Sequence, residues 1–177
     1  MSGEAERERL VAALRERGVD YLAPSDAAGE PLDDAALIKA LAESDDPRLR
    51  QALTALFLVD PHLASLAAHL PTKLAEPALT ELLAHYQAAV YLQTMWAIRL
   101  GHYQSPVVPL PDYFSQALGL PQPHEMDGKL GLHALADWHA AHRTAHGNPL
   151  SEYEGVFSLI IHRIKSRALR HVAPARG

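Results

Sequence analysis

The sequence predicts an all-α protein: a single-domain bundle of seven to eight stacked antiparallel helices with a proline-rich connecting loop. Three observations predict it. Helical periodicity runs through nearly every segment, and no segment shows sustained strand alternation between turn signals. Acid–proline pairs recur at helix starts, at Asp46-Pro47, Asp60-Pro61 and Glu76-Pro77. The acid accepts from free amides of the first turn, and proline has helical φ and no N–H to orphan. Finally, 177 residues at 48 % apolar and 21 % charged suit one domain with a true core.

The elements follow in order. Residues 4–17 place Leu10, Val11 and Leu14 among Glu and Arg, and Gly18 stands where a helix ends. Residues 19–33 contain Pro24, Gly29 and Pro31 and read as a loop, so residues 1–30 form a peripheral helix and loop. Asp33 and Asp34 cap a short helix through Leu41. The three acid–proline pairs open the next three helices, the last a long one over 78–100. Its candidate core residues are Leu82, Leu83, Tyr86, Val90, Met95 and Trp96, packed by Leu56, Phe57, Leu58, Leu159 and Ile160. Residues 101–112, GHYQSPVVPLPD, hold three prolines and take an extended path. This loop is apolar, which suits closing the core or docking a partner. A short helix capped by Asp112 is expected up to Gly119, another over 128–146, and a last one opened by the capping box Ser151/Glu154. Residues 172–177 form a flexible tail.

Several functions are excluded or disfavoured. There is no cysteine, so disulfides, thiolate metal sites and a cysteine nucleophile are excluded. G-x-G-x-x-G, P-loop and G-x-S-x-G motifs are absent. The segment 78–100 carries Glu81, His85, Gln87, Gln93 and Arg99, too polar for a bilayer. The start MSGEAERERL shows no apolar signal region, so a cytoplasmic protein is expected. A net charge of −5 disfavours nucleic acid.

The candidate metal ligands are His139, His142 and His146, which share one side of the helix expected over 128–146. They could hold Zn or Fe. The companions of a known helical metal motif are missing: there is no H-E-x-x-H and no Glu-x-x-His in the chain. Further ligands would come from His124, Glu125, His85 or His162. Glu81 and His85, spaced i, i+4, read as a local ion pair or part of an acid–base pair. The C-terminal segment from His162 carries Arg163, Lys165, Arg167, Arg170 and Arg176 and no acid. Cations there complement the helix dipole, or they meet an acidic partner or RNA.

The stretches DPRLRQALTALFLVDPHLA, YQAAVYLQTMWAIRLGHY and LPDYFSQALGLP resemble an uncharacterised all-helical prokaryotic family over roughly residues 46–160. Such proteins are often encoded beside small nucleotidyltransferase-fold proteins, in arrangements like toxin–antitoxin pairs. The histidine-rich 133–146 segment is not part of the resemblance, and no site residue is implied by it. It implies a non-enzymatic, antitoxin-like partner without a cofactor that binds and neutralises a nucleotidyltransferase. Tyr103, Arg163, Lys165, Arg167 and Arg170 are the expected contact residues, and self-association is left open. A metal-dependent helical enzyme using the histidines is the alternative. A nucleic-acid contact through the basic last helix is the second alternative.

Overall fold

The structure, a computed structural model, describes residues 3–23 and 30–172. Residues 24–29 of the loop expected over 19–33, and residues 173–177 of the tail expected over 172–177, lie outside the described residues. These contain eight α-helices and no strand: α1 (Gly3–Glu16), α2 (Asp34–Glu43), α3 (Pro47–Val59), α4 (Ala64–His69), α5 (Ala78–Met95), α6 (Ala97–Tyr103), α7 (Lys129–His142) and α8 (Pro149–Val172). The all-α class is as expected. No single helix among them is long and apolar enough to cross a membrane.

The helix starts follow local chemistry. Asp33 accepts from Ala36 N at 2.7 Å and Asp46 from Arg48 N at 2.9 Å. Asp60 caps a short 3-10 turn, Pro61–Leu63, that leads into α4. Glu76 accepts from Thr80 N at 3.2 Å in the first turn of α5. Gly18, at φ +91°, ends α1 as expected.

Four boundaries differ from the sequence expectation. The long helix breaks at Trp96 (φ −114°, ψ 20°), and Gly101 lies inside α6. The break turns Leu100 inward and stacks Trp96 on Phe157 of α8, with ring centroids 5.3 Å apart. Residues 114–119 form turns, although Asp112 still accepts from Ser115 N at 3.1 Å. α7 stops at His142, four residues early. α8 begins at Pro149, where Asn148 Oδ1 accepts from Ser151 N, so Ser151 lies in the first turn and is not its cap.

The core centres on α5, which packs against α2, α3, α7 and α8. Leu82, Tyr86, Val90, Leu56, Phe57, Leu58 and Ile160 are buried, as expected. Leu83 and Met95 are half-buried, and Trp96 and Leu159 are exposed by 36 % and 47 %. Trp96 is displaced because the helix breaks there; Leu159 falls on the outer face of α8. The proline loop lies across the bundle: Leu110 is buried, and Gln93 clamps the loop by donating to Val108 O and accepting from Leu110 N. The Tyr86 hydroxyl donates to Pro111 O at 2.7 Å.

Candidate metal centre

Helix α5 is apolar nearly all round, so each polar side chain on it must find a partner. Gln87 donates to Asp112 at 3.0 Å, and Gln93 holds the proline loop. Glu81 and His85 turn instead toward α3, where Arg50 and Thr54 have the same one-turn spacing. Two i, i+4 pairs thus face each other across the helix contact. Arg50 Nε lies 3.5 Å from Glu81 Oε2, and Thr54 Oγ1 lies 2.9 Å from His85 Nδ1.

His139 of α7 completes the group. Its Nε2 is 3.4 Å from Glu81 Oε2, and His85 Nε2 is 3.3 Å from the same oxygen. One ligand atom from each of Glu81, His85 and His139 lies within 4.8 Å of the others. All three residues are buried, His139 completely. From α8, the Tyr153 hydroxyl sits 2.6 Å from His139 Nδ1. The centre therefore draws on four helices. A cleft of about 280 Å³ reaches it at Glu81 and Arg50, between Glu43, Asp45, Glu76 and Thr144.

Burial alone would push the Glu81 pKa up. The two imidazoles beside it, His139 and His85, outweigh this and hold Glu81 well below the usual carboxylate range. Burial pushes the His85 pKa down, and Glu81 only partly opposes this. Burial also pushes the Tyr153 phenol well above its ordinary value. The Thr54 hydroxyl donates to the His85 carbonyl at 3.1 Å, so its oxygen accepts from His85 Nδ1–H. This tautomer, assigned from the hydrogen-bond network, leaves Nε2 on the Glu81 side, where its lone pair would be free to bind an ion.

The donor set suits a metal. Charge-assisted N–H···O bonds run at about 2.7–2.9 Å; both histidine–carboxylate distances are longer. His139 Nε2 is buried with no hydrogen-bond partner among the described residues. An ion with tetrahedral bonds of about 2.0–2.1 Å spaces its ligand atoms by about 3.3 Å. Arg50 approaches the same Oε2, which has two lone pairs and can serve both.

Comparison with protein-family models, curated proteins and solved structures returned no match. The site is therefore read from its own geometry.

The three histidines singled out from sequence do not converge. Only His139 belongs to the centre. His142 is exposed, stacks on Trp138 with centroids 4.5 Å apart, and its Nδ1 donates to Trp138 O at 2.7 Å. His146 is exposed in the segment after α7, because the helix ends before it. Of the further ligands considered, His85 joins the centre, while His124, Glu125 and His162 are exposed. Glu81, read only as a local partner of His85, meets His139 as well. The available signal was an acid and a histidine one turn apart inside an apolar helix.

The expected contact residues have local partners in part. Arg167 donates to Gly18 O at 3.0 Å and pairs with Asp20 at 3.2 Å; Arg163 lies 3.9 Å from Asp20. These two arginines pin α8 to the end of α1. Tyr103 packs half-buried against the core, and Lys165 and Arg170 are exposed.

Proposed function

We propose that the chain is a metal-dependent helical protein. Glu81, His85 and His139 hold one zinc-class divalent ion, and its remaining position faces the cleft beside Arg50. The convergence of three buried ligand atoms within 4.8 Å, with both histidine nitrogens at a tetrahedral edge distance from Glu81 Oε2, carries this reading. A two-histidine, one-carboxylate set leaves room for water or substrate, and such an ion lowers the pKa of bound water and polarises a substrate oxygen. The reaction class that follows is metal-assisted hydrolysis. Arg50, anchored by Ser44 O at 2.6 Å, is placed to hold a substrate oxygen. Thr54 and Tyr153 orient the two imidazoles.

Elemental analysis of protein purified without a His tag, after Zn²⁺ loading and desalting, tests the reading. About one equivalent is expected, lost in His139→Ala and in Glu81→Gln, and kept in a His142→Ala/His146→Ala double variant. Folding of each variant is checked by circular dichroism. Less than about a tenth of an equivalent in the parent would leave Glu81 as the anion of a metal-free charge network and overturn the proposal.

A second reading is an antitoxin-like subunit that neutralises a nucleotidyltransferase. The observation favouring it is the exposed apolar surface on and beside α6, where Ile98 is 85 % exposed next to Trp96. An acidic chain suits the basic surface of a nucleotide-handling partner. Stoichiometric co-purification of such a protein, lost in Ile98→Asp, is expected; a lone monomer at native expression contradicts it.

A further inference from the structure

A separate cleft of about 510 Å³ lies between α1, α3, α8 and the segment after α1. Its volume falls in the range of small-molecule sites. Two guanidinium groups line it. Arg7 uses its Nε for Asp46, at 3.1 Å. Arg48 is exposed and forms no ion pair among the described residues. The one acid in the lining, Glu152, is held by both terminal nitrogens of Arg143, at 2.8 and 3.0 Å, so its charge is already matched. Arg7 is likewise matched by Asp46, so the unmatched charge in the lining is the positive one of Arg48.

Its other wall is apolar. Leu22, Val156 and Leu159 line it, and Leu159 is half-exposed among the described residues. The Tyr21 hydroxyl, also in the lining, is shielded from solvent and has no hydrogen-bond partner among the described residues. Gly155 stands in the interior of α8 on the same cleft. A glycine there costs about 1 kcal/mol relative to alanine. Packing does not require it, since a Cβ at Gly155 would meet nothing within 4 Å. What the glycine does provide is depth in the cleft floor.

We propose that this cleft binds a small amphiphilic anion: a medium-chain carboxylate with its head at Arg7 and Arg48 and its chain along Leu22, Val156 and Leu159. The inference is independent of the metal centre. Titration calorimetry with octanoate, octylamine and octanol tests it, each used below its aggregation concentration. Octanoate is expected to bind at least about tenfold more tightly than either octylamine or octanol, the scale of one charge-assisted contact. Arg48→Gln should remove that preference. Gly155→Leu, whose Cβ meets nothing within 4 Å, should abolish octanoate binding with the melting temperature maintained. Equal binding of octylamine or octanol, or full octanoate binding by a folded Gly155→Leu variant, overturns the proposal.

Discussion

Tyr153 and Thr54 are fully buried, and each meets one nitrogen of a histidine in the centre. The Tyr153→Phe substitution keeps the ring and removes the oxygen 2.6 Å from His139 Nδ1. Metal affinity is then expected to fall about 10–100-fold, the usual cost of losing an outer partner of a ligating histidine. Competition with a chromogenic chelator would measure it, and unchanged affinity would detach Tyr153 from the centre. The metal-free protein also has a defined pH response. Burial depresses His85, so the unfolded chain binds the proton more readily than the folded one. The stability His85 contributes is complete above about pH 6.5 and is lost as pH falls toward its lower folded value. Glu81, also depressed, adds a loss at lower pH: its contribution is complete above about pH 4.3 and fades through its folded value. The urea midpoint of metal-free protein should therefore drop between about pH 7.5 and about pH 5.5, and His85→Asn should flatten that drop. An equal midpoint at both pH values would contradict the neutral, buried state of His85.

Two helical glycines separate packing from propensity at the scale of elements. Gly131 of α7 lies against the Tyr91 ring, and an added Cβ would collide with it. Tyr91 cannot easily withdraw, because its hydroxyl donates to Pro121 O at 2.7 Å. Gly131→Ala should therefore cost about 1–3 kcal/mol despite the better helix propensity of alanine. Gly155→Ala meets no neighbour and should gain about 0.5–1 kcal/mol. Chemical denaturation of the pair should show opposite signs, and a shared sign would mean that α7 does not dock on Tyr91. The same contrast explains what could be read from sequence. Asp46-Pro47, Asp60-Pro61 and Glu76-Pro77 mark helix starts through contacts within a few residues, so they were legible. The break at Trp96 answers to Phe157, a partner on another helix, and no local signal marks it. The centre was half legible: Glu81 and His85 are one turn apart, but His139 joins them only through the packing of α7 on α5. His142 and His146 looked equivalent to His139 on a projected helix that in fact ends at His142.

At the scale of the whole molecule, the proline loop lies in the connection from the α5–α6 arm to α7. Tyr86 and Gln87 hold its end at Pro111 and Asp112, and one side chain makes two bonds to its middle. Gln93 donates to Val108 O at 2.9 Å and accepts from Leu110 N at 2.7 Å, while Leu110 itself is buried. Gln93→Ala leaves the buried Leu110 amide without a partner, at a cost of about 1–3 kcal/mol. Val108, 37 % exposed, is a lesser anchor; Val108→Ser should change stability by no more than about 0.5 kcal/mol. Hydrogen exchange decides whether the loss is local or global. If the loop is held by Gln93, exchange at the Leu110 amide should accelerate in Gln93→Ala well beyond that of α3 amides. The Val108→Ser variant should leave the Leu110 amide protected. If instead Leu110 and α3 amides accelerate together, the loop opens only with the whole bundle, and Gln93 is one core contact among many. The first pattern would leave the loop as a separately releasable strap over α5, with Leu110 returning to its buried place whenever the Gln93 clamp re-forms.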